Sequence, residues 1–311
     1  MKNKIMAIAC LCIFIFSSDF SFANENNGDN NNFDFSGVRT TDIQYFTLKT
    51  KLSHQATDGT HVGSTIFRVW LKAETAAKGY NYTCLRFTLQ QNSSEQVAIP
   101  ALTNWQHNYN EEVDIDSKAQ VFGIEHKKFQ HLEDEFGEPI SIENSYHIYN
   151  AFIDFHAIND VFSQPTITDK GIQNLHYIGD KIIHSAAFSE PPVQLGGTKE
   201  GSVFRNGEIT LELKGKSLID GQWSAIVEYD SGESSFKMLM EPMPNFEIKT
   251  VGSSHYFGDI YKNVKTNWLQ KATLKEFVVS ETILPAAPHK INAIIERNII
   301  IENVSKSNIQ W

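Results

Sequence analysis

The sequence predicts a mainly β protein: antiparallel, curved sheets in two lobes, built as meanders, with a small helical insertion between them. Three observations carry this reading. Apolar and polar residues alternate from Ile43 to Leu89 and again from Gly201 to Ile301, and a period of two marks strands with one buried face. Polar clusters such as Ala56-Thr57-Asp58-Gly59-Thr60 and Asp230-Ser231-Gly232-Glu233 punctuate those runs as turns do. Helical spacing surfaces only within residues 122–200.

In chain order, Met1–Ala23 reads as a signal peptide. Lys2 and Lys4 precede the apolar stretch Ile5–Phe16, which is too short to span a bilayer, and Ser21-Phe22-Ala23 sets small residues before a cut after Ala23. The expected location is periplasmic or secreted, with no transmembrane helix in the mature chain. Cys10 sits inside the apolar core rather than after it, which argues against a lipidated cysteine. Cleavage leaves Cys84 alone, so no intramolecular disulfide can form; beside Leu85 and Phe87 it reads as a small buried residue. Residues 24–40 begin NENNGDNNN and read as an Asn-rich flexible linker.

Residues 41–121 form the N-terminal β lobe. Phe46, Leu48, Thr50 and Leu52 share one strand face; Phe67, Val69, Leu71 and Ala73 share another, as do Leu85, Phe87 and Leu89. Residues 122–200 are a mixed α/β connection. Phe122, Phe129, Leu132 and Phe136 predict a short amphipathic helix over Glu125–Glu135. Tyr146–His156 can be read either way, with Phe152, Ile153 and Phe155 favouring a strand. Thr168 or Asp169 can cap a helix carrying Ile172, Leu175, Ile178 and Ile182, although Gly179 weakens it.

Residues 201–304 form the C-terminal lobe, followed by a tail, 305–311. Ile209, Leu211 and Leu213 alternate with Thr210, Glu212 and Lys214, and Asp230–Glu233 predicts a hairpin between Ala225–Tyr229 and Phe236–Met240. Phe246–Val251, Tyr256–Val264, Trp268–Leu274, Glu276–Ile283 and Ile291–Ile301 are further strands, the last interrupted by Arg297. The strand-turn rhythm of Gly207–Gly215, Asp220-Gly221, Ala225–Tyr229 and Gly258–Tyr261 resembles exported bacterial half-barrel proteins of the lipoprotein-carrier style. That resemblance covers about a third of the chain and implies a curved sheet around an apolar cavity. An echo between Phe67–Leu89 and Ile209–Tyr229 suggests two related β units.

The charge balance excludes one class of partner. The chain carries −10; removing Lys2, Lys4 and Asp19, which sum to +1, leaves −11. With no dense Lys/Arg run, nucleic acid is not an expected partner.

Asp154-Phe155-His156 is the sharpest chemical feature. On a strand these carboxylate and imidazole groups would share a face and could hold one divalent metal ion. Asp160 and Gly179-Asp180 follow, but the Gly-Asp-x-x-Asp and Gly-Asn-His elements of metallophosphoesterases do not. His126 and His131, five apart, fall on different helix faces, as solvated residues. Ser231 and Ser234 lack the Gly-x-Ser-x-Gly elbow. His156, His184, Glu228 and His255 come from four segments and form a catalytic set only if the fold gathers them. Dinucleotide, phosphate-loop and zincin motifs are absent.

The reading that follows is a non-enzymatic binding or envelope-associated protein. Its concave sheet would hold an apolar small molecule or an envelope component, with no cofactor. A metal-dependent hydrolase centred on Asp154 and His156 is the alternative, and a structural or adhesion module the third reading.

Overall fold

The computed structural model describes residues 32–109, 124–167, 170–191, 193, 195, 197–285 and 290–309. The leader through Ala23, and the cap positions Thr168 and Asp169, lie outside the described residues. Among those described, no helix is long and apolar enough to cross a membrane.

The protein is mainly β. The first meander consists of β1 (Gln44–Gln55), β2 (His61–Thr75) and β3 (Tyr80–Gln91), with β4 (Val97–Ala98) and β5 (Trp105–Tyr109) on the far edge of β3. The β1–β2 turn closes through Ala56 N–H donating to Thr60 O at 2.9 Å, with Gly59 at φ +83°. The second meander contains β6 (Lys181–Ile183), β7 (Val203–Arg205), β8 (Thr210–Ile219), β9 (Gln222–Asp230), β10 (Ser234–Met243), β11 (Phe246–Asn263), β12 (Leu269–Ile283) and β13 (Ile291–Asn303). The two meanders meet in one antiparallel sheet because β1 pairs with β13 from Phe46↔Asn303 to Gln55↔Ile294.

The alternation read from the sequence is the sheet's inner face. Phe46, Leu48, Phe67, Val69, Leu71 and Phe87 are buried on one half; Leu211, Leu213, Val227, Ala272, Ile299 and Ile301 on the other. Burying a side chain of this size contributes about 1.5–3 kcal/mol. Tyr256–Val264, up to Asn263, joins Phe246–Val251 in the 18-residue β11.

The expected hairpin at Asp230–Glu233 is instead a crease. β9 and β10 lie end to end along the same side of β11: Phe257 pairs with Asp230, and Ser254 with Ser234. Asp230 Oδ1 accepts from Gly232 N at 2.7 Å, and Gly232 sits at φ +58°. The chain does not reverse, because Ser231 stays tied to β11, its N–H donating to Tyr256 O and its Oγ accepting from Tyr256 N, both at 2.9 Å. Gly207 marks the same break between β7 and β8. A Cβ there would lie 2.5 Å from Ser231 O.

Three helical expectations also change. Tyr146–His156 is not a strand but most of α1 (Ile142–His156), extended by a wider π turn over Ala157–Phe162. Ser141 caps it, its Oγ accepting from Asn144 N at 3.1 Å. The helix carries apolar residues both on the side packed against β1–β3 and on the opposite side, which erases the one-sided pattern that would identify it. Glu125–Glu135 forms only a 3-10 turn, His126–Phe129, before the bend at Gly137. His126 is buried rather than solvated, its Nε2 2.9 Å from Ser145 Oγ. The helix expected after residue 169 reduces to a 3-10 turn, Ile172–Asn174, and Ile182 belongs to β6; Gly179 at φ +97° separates them. Composition also misassigns the end of the linker. Phe35 and Arg39 are buried, and Trp268 Nε1 donates to Thr40 O at 2.9 Å.

Candidate functional site

The α1–π segment divides the interior. One side carries Phe152 and Phe155 into the β1–β3 half, where Phe155 meets Phe46 edge-on and Phe152 stacks on Phe129. The other side presents Asn150, Ile153, Asp154, Ala157, Ile158 and Val161 to an open cavity of about 910 Å³. Their spacing of three, four, seven, eight and eleven is that of one helix face. Opposite stand Leu52, Leu274, Val278 and Ile295 from the sheet, with Phe204, Phe236 and Met238 from the strands beyond the crease.

A charged cluster interrupts this apolar wall. Leu52, Arg297, Glu276 and Tyr256 occupy one row across β1, β13, β12 and β11. Arg297 Nη1 lies 2.5 Å from Asp154 Oδ2, and its Nε donates to Glu276 Oε2 at 2.6 Å. Ser254 Oγ donates to the other Glu276 oxygen. Two carboxylates thus share one guanidinium. Burial pushes the Asp154 carboxyl up to about 6, with Glu276 adding to the rise against the pull of Arg297. A net negative cluster that takes up a proton in mild acid presents acceptor oxygens to the cavity.

On the far side of the helix lies a second polar network. Asp160 Oδ1 accepts from Arg39 Nη1 at 2.7 Å and from Tyr82 Oη at 2.6 Å, and Asp160 Oδ2 is 2.8 Å from His156 Nδ1. Arg39 also donates to Asn159 O and lies over the rings of Tyr80 and Trp268, 4.7 and 4.5 Å from their centroids. Burial raises the Asp160 carboxyl, but Arg39 and His156 outweigh it and hold it below the ordinary carboxylate range. His156 Nε2 is 2.6 Å from His107 Nε2, and burial, then His156, keeps His107 well below its usual value. One hydrogen lies between these two facing ring nitrogens. Lys262, fully buried, donates to Ser163 O at 2.6 Å, at the helix's C-terminal end. The network ties the N-terminal segment, β3, β5 and the helix together. Most of its oxygens and nitrogens are consumed by one another, which fits a structural role, while Arg39 Nε, His107 Nδ1 and Asn159 Oδ1 have no hydrogen-bond partner among the described residues.

The residues singled out in the sequence divide accordingly. Two apart on a helix rather than on a strand, Asp154 and His156 point to opposite sides, Asp154 to the cavity and His156 to Asp160, so they do not share an ion. His184 is buried, its Nδ1 accepting from Ala186 N at 3.1 Å, and burial pushes it down to about 4. Glu228 is exposed on β9, 3.8 Å from Lys214, and His255 is exposed beside Asp230 at 2.9 Å. The four candidates His156, His184, Glu228 and His255 are thus split between interior and outer surface and form no common site. The residues that shape the cavity's chemistry, Arg297 and Glu276, carried one legible signal: each breaks an apolar alternation on an inward strand position.

No protein-family model matches the chain, and no curated protein matches it. Among solved structures, two mutants of the Rh. blastica porin align over 85% of this chain and 100% of theirs, at 8% and 6% identity and TM-scores of 0.20 and 0.21. The botulinum neurotoxin serotype C1 binding domain aligns over 86% of this chain and 84% of its own, at 9% identity and a TM-score of 0.11. Likenesses at these scores carry no argument about this chain.

Proposed function

We propose that this protein is a non-enzymatic binding protein that holds one apolar or amphipathic small molecule between its central helix and curved sheet. The observation that carries the reading is the cavity of about 910 Å³, walled by aliphatic and aromatic side chains and holding one charged cluster. Its size lies near the top of the ~300–1,000 Å³ usual for small-molecule sites. The apolar part of the ligand lies against Ile153, Val161, Leu274, Val278 and Ile295. Its polar end donates hydrogen bonds to Asp154 or Glu276, because Arg297 is already held by both. Hydroxyl, amide or amine head groups suit this end better than a second carboxylate. The half-barrel resemblance of residues 201–304 and an exported, envelope-associated location agree with this role.

The test is mass spectrometry of organic extracts from the natively purified protein, with displacement of an apolar fluorophore. The expected result is a retained amphiphile, competed by added ligand. Met238→Arg, which sets a charge on the cavity wall, weakens fluorophore binding tenfold or more, about 1.4 kcal/mol. Parent protein that yields no extractable molecule and does not bind the fluorophore refutes the proposal.

A further inference from the structure

At one end of the cavity lies a side-chain cluster that the proposed ligand site does not use. His54 continues the inward stripe of β1 two residues past Leu52, and Glu143 and His147 are four residues apart on α1, on one helix face. Each offers one ligand atom, and the three atoms lie within 4.8 Å of one another. His147 Nε2 and Glu143 Oε1 are 3.6 Å apart. That is too long for a hydrogen bond. It is close to the edge of a tetrahedron around an ion with bonds of about 2.0–2.2 Å, which is roughly 3.4 Å.

A second observation points the same way. His147 Nε2 is buried and has no hydrogen-bond partner among the described residues. Buried imidazole nitrogens are ordinarily bonded, and a metal is one of the partners that satisfies them. The ring is also held in place: the centroid of Phe67 lies 5.6 Å away and that of His54 6.3 Å away. Packing thus fixes the ring whose Nε2 stands 3.6 Å from Glu143 Oε1.

We propose that His54, Glu143 and His147 bind a divalent first-row transition ion of the Zn²⁺ type at the rim of the cavity. Two imidazoles and one carboxylate suit Zn²⁺, whereas Ca²⁺ and Mg²⁺ take six or more oxygens or keep several waters. Three protein ligands leave one tetrahedral position open. Glu143 is exposed and His147 lines the cavity, so the open position is reached by water or by the polar end of a bound molecule.

The test uses the full chain, stripped with a chelator and titrated with ZnCl₂ by calorimetry, then with CoCl₂ by visible absorption. One equivalent of Zn²⁺ is expected, with the intense visible bands of four-coordinate Co²⁺ and much weaker binding of Ca²⁺. Glu143→Gln weakens Zn²⁺ binding tenfold or more, and His54→Gln combined with Glu143→Gln abolishes the Zn²⁺-induced rise in Tm. Glu143 is on the surface, so its variant tests the site without threatening the fold. Absence of saturable uptake overturns the proposal, as does equal affinity for Ca²⁺ or uptake that survives in the double variant. Fluorophore binding to the metal-free protein is scored separately, so failure of the cavity and failure of the metal site are distinguishable.

Discussion

Replacing Arg39 by Met tests whether the buried network on the packed side of the helix holds the N-terminal segment to the core. Arg39 and Asp160 are both without solvent exposure, with Nη1 2.7 Å from Oδ1. Met keeps most of the length and the contact with Tyr80 and Trp268, but leaves the Asp160 carboxylate without its cation. Removing one partner of a buried pair costs about 3–5 kcal/mol. Tyr82, Asn159 and His156 still donate to Asp160, which places the loss near the lower end, about 3 kcal/mol. With a urea m-value of about 3 kcal/mol/M, the unfolding midpoint falls by roughly 1 M. Adding Asp160→Asn removes the stranded charge, so the double variant recovers at least about 1 kcal/mol relative to Arg39→Met. The pH dependence has a definite sign. Asp160 is held below its ordinary value, so its contribution is present above the unfolded pKa and fades as pH falls through the folded one. That acid-side loss shrinks in Arg39→Met. A single variant losing less than about 1 kcal/mol, or a double-variant cycle with strictly additive losses, refutes the reasoning.

Two further outcomes are expected. Asp154 is raised from 3.8 to about 6, so the folded state holds its proton more tightly than the unfolded chain. Stability therefore falls as pH rises from about 4 to about 6, by about 3 kcal/mol from this group. Asp154→Asn removes that slope; a stability gap between parent and variant that stays level from pH 4 to 7, in urea titrations, contradicts the shift. Gly258→Ala, whose added carbon would lie 2.0 Å from Thr273 O, forces backbone movement between β11 and β12 and costs about 1–3 kcal/mol. An unchanged Tm would show that the strands are not held at that spacing.

The strands were legible because each buries one face. Phe46, Leu48 and Leu52, or Ile209, Leu211 and Leu213, announce their direction in any alternating run. α1 was not legible for the opposite reason: Phe152 and Phe155 meet the β1–β3 half while Ile153 and Val161 face the cavity, so apolar residues recur on all sides. Reading that segment as a strand put Asp154 and His156 on one face, whereas a helix turns them about 200° apart. Glu143 and His147 were concealed as well: four residues apart, they would lie about 13 Å from each other along a strand but stand on adjoining turns of a helix. Asp230–Glu233 has the composition of a hairpin, yet whether Gly232 reverses the chain or kinks it depends on Ser231 remaining bonded to Tyr256.

Alternation, turn residues and the apolar run of each strand are local properties, and they determined by themselves that this chain builds antiparallel sheet with a buried inner face. The joining of the two meanders through β1 and β13, the packing of a helix against the inner face, and the meeting of Arg297 with Asp154 and Glu276 were decided only in three dimensions. The physical reason is sequence separation. Arg39 and Asp160 stand 121 residues apart, and Arg297 and Asp154 stand 143 apart. A charge at either end carries no mark of its partner until the core between them has formed.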